Sequence, residues 1–159
     1  MATWHDIEAA APELAAAVRG FLDARQHKTI ATLRADGSPR ISGTEATFVD
    51  GDLWWGAMWQ SLKARDLRRD ARFALHSGSD DPPGWKGDAK IGGRAVEVDD
   101  DAAKTALVRA QGNEGGELGE WHLFRADITE ASVVRPTEAG DGLVIESWTA
   151  RRGLRRVRR

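Results

Sequence analysis

Hydrophobic and polar positions along the chain change period several times, and each change marks an element. After Pro12, apolar residues recur at Leu14, Val18, Phe21 and Leu22 on one face of a helix, with proline suited to its first turn. From His27 the period shortens. Strands are predicted over His27–Arg34, Arg40–Val49 and Leu53–Met58, joined by turns at Ala35–Ser38 and Asp50–Asp52. Asp36-Gly37 and Asp50-Gly51 are hairpin signals, so an antiparallel meander is expected. A short basic helix, Ser61–Asp70, then leads into a strand at Arg72–His76.

The run Ser77–Gly84, with Pro82-Pro83, is a loop. A strand over Ala89–Val98 contains Gly92-Gly93, which suggests a bulge, a barrel bend or close approach of a ligand. Asp99-Asp100-Asp101 caps a helix through Ala102–Gln111. Asn113–Gly119 reads as a glycine-rich loop, followed by strands Trp121–Val134 and Leu143–Ala150. The fold class expected is mainly β (α+β). Six or seven antiparallel strands would form a small barrel with short peripheral helices.

Composition narrows this picture without redirecting it. The 159 residues are 41% hydrophobic and 30% charged, which suits one globular domain over 1–159. No apolar run is long enough to span a bilayer, so no membrane partner is expected. The N-terminus lacks a basic region followed by an apolar core, and a cytoplasmic location is expected on that ground. Absence of cysteine excludes disulfides and thiolate chemistry. His5, His27, His76 and His122 show no metal-ligand spacing, so no metal is expected. His76 and His122 read as core-edge or interface residues on strands.

Charge adds one asymmetry. Residues 151–159 hold six arginines and no acid, and subtracting their +6 from the net −2 leaves about −8 for the rest. Such a tail commonly stays solvated or disordered. It also has readings as a partner contact or an anion clamp. A nucleic-acid arm would need a basic face beside it, so nucleic acid is an unlikely partner.

The chemistry-bearing constellation is Trp59-Gln60-Ser61-Leu62-Lys63, where a hydroxyl, an ammonium and free backbone amides converge at one helix N-terminus beside a sheet. Taken alone, Ser-x-Lys at a helix start is commonly only an N-cap and a surface lysine. Arg65, Arg68, Arg69 and Arg72 read as a solvated face pairing with Asp66 and Asp70. Alternation puts Trp54 and Trp55 on opposite faces, one core and one interface or pocket.

Three segments in order carry a family resemblance: Thr29–Arg40 with its Ala-Asp-Gly-Ser turn, Val49–Trp54 with Asp-Gly-Asp, and Ser61–Arg72. Together they resemble the pyridoxamine-5′-phosphate-oxidase-like split β-barrels, which bind flavin mononucleotide (FMN) or the deazaflavin coenzyme F-420. The likeness is good over about Phe21–Val98 and looser to Trp148. It implies a homodimer with cofactor at the subunit interface and hydride or electron transfer to a small-molecule substrate. Residue by residue, it implies that Arg40, Ile41 and Ser42 lie along the cofactor, with Arg40 as a further phosphate contact. Trp59, Gln60, Ser61 and Lys63 would grip its phosphate, and Lys90 would contact phosphate or ring.

Two departures matter. Glu45 stands where the flavin-phosphate oxidases have a lysine, and a carboxylate there would repel phosphate or crowd the ring. The paired Arg and His of the pyridoxamine-phosphate substrate motif have no counterpart, so this is not expected to be a true pyridoxamine-phosphate oxidase. The alternative is a non-catalytic module binding flavin, haem or another planar ligand.

Overall fold

A computed structural model describes residues 2–113 and 119–159, so most of the expected glycine-rich loop at Asn113–Gly119 lies outside the described residues. Helices α1 (Trp4–Ala10) and α2 (Pro12–Asp23) precede strands β1 (Lys28–Leu33), β2 (Pro39–Thr44), β3 (Ala46–Val49) and β4 (Asp52–Met58). Then come α3 (Leu62–Arg69), β5 (Arg72–His76), β6 (Asp88–Val98), α4 (Asp101–Ala110), β7 (Trp121–Pro136), β8 (Leu143–Thr149) and β9 (Gly153–Arg158). The antiparallel sheet runs β2-β1-β5-β6-β7-β4-β3, with β8 and β9 added beyond β7. This is the expected α+β barrel: seven strands on the main path, and short helices around it.

Both predicted hairpins form. Asp50 (φ 50°) and Gly51 (φ 79°) make a two-residue loop between the paired Val49 and Asp52, a turn whose positive φ values match the twist of the strands. The strand expected over Arg40–Val49, however, divides at Glu45. Its first half pairs with β1 and its second with β4, so the two hairpins end at opposite edges of the sheet path instead of forming a continuous meander. The chain crosses from one edge of the path to the other at Glu45, leaving a split between β2 and the β3–β4 hairpin, on its β4 side.

Alternation along β1, β4, β6 and β7 points Ile30, Leu53, Trp55, Ile91, Phe124 and Ile128 inward, and all are buried. Leu14, Val18 and Leu22 of α2 pack into the same core, as the helical spacing requires. Trp55 is the core member of its pair, with its ring 4.9 Å from that of Phe73; Trp54 is half-buried. Helix α1 has no counterpart among the expected elements. Its signal is a short capping box, Thr3 with Asp6, and burial of Trp4 and Ile7 sustains it.

Between Gly92 and Gly93 the β6–β7 register shifts, as expected of a glycine bulge. A Cβ on Gly93 would stand 2.2 Å from the Asp127 carbonyl oxygen, so only glycine fits the close strand approach. The arginine tail is the clearest departure from expectation. It is not a solvated extension but strand β9, paired with β8 from Gly153↔Thr149 to Arg158↔Val144. The pairing is through the backbone, and the arginines along it keep the outer edge from recruiting a further strand. Among the described residues no helix is long and apolar enough to cross a membrane.

Candidate functional site

The split between β2 and β4 is roofed by two helices and opens into a cleft of about 840 Å³. The N-terminus of α3 and the last turn of α4 close it. Its lining brings together Arg40, Ile41, Ser42, Ser61 and Lys63 of the sequence-predicted set. Apolar walls come from Met58, Leu62, Leu107, Val108 and Trp121, with Gly56 and Ala57 as a floor. A volume in the range of small-molecule sites, with apolar walls and few polar groups, suits a planar ligand.

Ser61 is the N-cap of α3. Its backbone N–H donates to the Met58 carbonyl at 3.0 Å, and its Oγ accepts the Ala64 amide at 3.4 Å. That cap bond is long, so the hydroxyl is held only loosely by the helix. The first-turn amides of Leu62 and Lys63 have no intrahelical carbonyl to bond and carry the positive end of the helix dipole. Lys63 donates from Nζ to the Gly43 carbonyl of β2 at 3.0 Å, a bond across the split. Burial pushes the Lys63 ammonium below its ordinary 10.5, and no carboxylate among the described residues offsets that shift. The result is a half-buried cation with no carboxylate partner among the described residues, beside free amides and a hydroxyl. This donor set fits a phosphate.

Arg40 behaves differently. Its Nε donates to Oδ2 of Asp66 at 2.6 Å, and Asp66 also accepts from Thr32 Oγ1 and Arg69, each at 3.0 Å. Burial would raise the Asp66 carboxyl, but these three donors outweigh it and hold it below the usual carboxylate range. Arg40 is thus anchored to α3 at the cleft margin. Glu45 lines the cleft as well, but its carboxylate turns to His27, at 3.2 Å, and its backbone carbonyl accepts from Gln111.

Trp59, Gln60 and Lys90 stand outside this lining. Trp59 stacks on His122, with ring centroids 4.7 Å apart and planes 10° from parallel, in an adjoining cavity. The Gln60 amide donates to Nε2 of the same histidine at 3.1 Å. Lys90 lies on β6 opposite His76, with its ammonium 3.8 Å from Asp88. Of the arginines on the basic helix, Arg69 pairs with Asp66 as expected and Arg68 reaches Glu97 at 3.0 Å. Sequence reading missed the α4 residues, Met58, Trp121 and the part played by Asp66. Their pairing with the site is long-range, and no local spacing encodes it.

The pyridoxamine 5′-phosphate oxidase family model matches residues 14–135, most of the chain and every residue that lines the cleft. The chain belongs to the pyridoxamine 5′-phosphate oxidase family. No curated protein matches it. Among solved structures, the conserved hypothetical protein Rv2991 from Mycobacterium tuberculosis is similar at 22% identity, over 73% of this chain and 81% of that one, with a TM-score of 0.61. A protein from Clostridium acetobutylicum related to general stress protein 26, of the pyridoxinephosphate oxidase family, is similar at 13% identity over 88% and 96%, with a TM-score of 0.63. HutZ, the heme storage protein from Vibrio cholerae, is similar at 18% identity over 74% and 88%, with a TM-score of 0.57. At these identities the likeness is one of fold. The same barrel fold therefore recurs in a heme storage protein and in a protein of the pyridoxinephosphate oxidase family.

Proposed function

We propose that the cleft binds a phosphate-bearing flavin, FMN, and that the protein is an oxidoreductase acting on a small molecule as a homodimer. The observation that carries this reading is Lys63: a half-buried ammonium with no carboxylate partner among the described residues, beside the Ser61 hydroxyl and the α3 amides. In this reading the phosphate sits at that point and the planar ring lies along β2, over Ile41 and Ser42. Leu107, Val108 and Trp121 exclude water from the opposite side. When bound, the flavin ring supplies the hydride or electron-pair chemistry. The chain's own residues bind and orient it.

Dimerisation is supported by the cleft rim. Ile41, Met58 and Leu62 are 69%, 78% and 57% exposed, a cluster of large apolar side chains that a second copy would cover. Trp59, Gln60 and Lys90, outside the cleft of their own chain, would then contribute only across that interface. The deazaflavin coenzyme F-420 competes with FMN because Arg34 also lines the cleft and could meet a longer acidic tail. Haem is the binding-module reading, supported by the fold shared with HutZ. None of the four histidines is among the residues lining the cleft, which weighs against histidine-ligated haem there.

Titration of the purified protein with FMN, F-420 and haem separates these readings. Saturable micromolar or tighter binding of FMN, seen as quenched flavin fluorescence, supports the proposal. Binding of F-420 or haem in its place refutes the cofactor assignment, and binding of none removes the oxidoreductase reading.

A further inference from the structure

Next to the cleft lies a set of linked polar groups, centred on the buried His122, that the reading above does not use. His122 sits on β7 directly opposite Ala57 of β4, one residue from the point where β4 ends and the Trp59-Gln60 turn begins. It is buried, and its ring is bonded on both sides. Nε2 accepts the Gln60 backbone N–H at 3.1 Å, and Nδ1 stands 2.6 Å from Oε1 of Glu97 on β6. Since a nitrogen that accepts carries no hydrogen, the proton resides on Nδ1 and is donated to Glu97. The carboxylate thereby fixes the tautomer. The other oxygen of Glu97 forms an ion pair with the Arg68 guanidinium near the end of α3, at 3.0 Å.

The turn needs such a restraint. Gln60 has φ 54°, the left-handed conformation that a side chain with a Cβ adopts at a cost. Ser61 is its immediate neighbour, and the next two residues carry the amides and ammonium at the mouth of α3. Trp59, half-exposed, is clamped flat on the imidazole. The path Arg68–Glu97–His122–Gln60 therefore ties both ends of α3 to the sheet and sets where its N-terminus points.

We propose that His122 is the positioning residue of the anion site: by accepting the Gln60 amide it holds the strained turn that presents Ser61, Lys63 and the α3 amides to a phosphate. The proposal rests on the phosphate reading of the cleft. It assigns a role to a residue that does not touch the ligand, and it concerns the phosphate rather than the ring.

The test compares FMN with riboflavin, which lacks only the phosphate, on wild type and three variants. Gln at position 122 offers an oxygen near the Nε2 position. Phe keeps a stacking ring without an acceptor, and Asn places its oxygen near Nδ1, out of reach of Gln60. Wild type and H122Q are expected to favour FMN over riboflavin by tenfold or more. H122F and H122N are expected to lose at least tenfold in FMN affinity while riboflavin affinity changes less than twofold. Retention of the FMN preference by H122F or H122N overturns the proposal, as does its loss in H122Q.

Hydrogen exchange at the Gln60 amide reads the same contact without any cofactor. Protection in wild type and H122Q that falls at least tenfold in H122N supports the contact, and equal protection in all three overturns it. If wild type binds neither flavin, the phosphate reading fails by itself, and the positioning role falls with it even where exchange confirms the bond. If H122F does not fold, H122N against H122Q decides.

Discussion

Replacing Asp66 by Asn probes the join between α3 and the barrel. The carboxylate is 3% exposed and receives three donors: Arg40 Nε at 2.6 Å, and Thr32 Oγ1 and Arg69 at 3.0 Å. Hydrogen bonds to a charged group contribute about 1.5–3 kcal/mol each, but asparagine retains one acceptor oxygen, and the Arg69 side chain is 41% exposed and screened by solvent. Arg40, at 20% exposure, suffers most from losing its counter-charge. The expected loss is about 3 kcal/mol, at the lower end of what breaking a buried pair costs. For a chain of this size that lowers Tm by roughly 6–12 °C.

Urea and thermal denaturation measure the loss, and a change under about 1 kcal/mol refutes the reasoning. Converting Arg40 to Met in the D66N background should recover part of it, because it removes the cation left without a counter-charge. The pH dependence has a definite sign. The folded carboxyl lies below its ordinary value, so its contribution is complete above the unfolded value of about 3.9 and is lost as pH falls through the folded one. The gap between wild type and D66N should therefore persist at neutral pH and close only in acid.

Other expectations follow from the same structure. Lys63→Ala should weaken FMN binding by about 1.5–3 kcal/mol, roughly 10- to 150-fold by fluorescence titration, and unchanged affinity removes Lys63 from the site. Because burial lowers the Lys63 ammonium from 10.5, FMN affinity in wild type should begin to fall below that pH as the cation is lost. The K63A variant should lack that fall. Gly93→Ala, which forces a Cβ against the Asp127 carbonyl, should cost about 2 kcal/mol or more in urea denaturation. Gly92→Ala meets the end of the movable Glu130 side chain and should cost about 1 kcal/mol or less. Light scattering should give twice the 17.4 kDa chain mass, and glutamate at Ile41 and Leu62 together should reduce it to one.

Periodicity and turn chemistry are local, and they were enough to define most elements of this protein. Asp50-Gly51 could hardly be anything but a hairpin turn, and Leu14, Val18 and Leu22 specify a helix face whatever lies opposite. The order of those elements also carried the family resemblance, and with it Ser61 and Lys63 as a candidate anion site. Tertiary structure decided what depends on residues far apart in sequence. The break at Glu45, which sends β2 and β3 to opposite edges, follows from barrel closure and has no local signature. Arg40 could be read as a free phosphate contact until Asp66, 26 residues later, was seen to engage it. The arginine tail looked solvated because its charge dominates its composition, yet the exposed edge of β8 gave its backbone groups partners. His122 joined the site for the same reason: a hydrogen bond spanning 62 residues exists only once β4 and β7 are paired, and no spacing in the sequence records it.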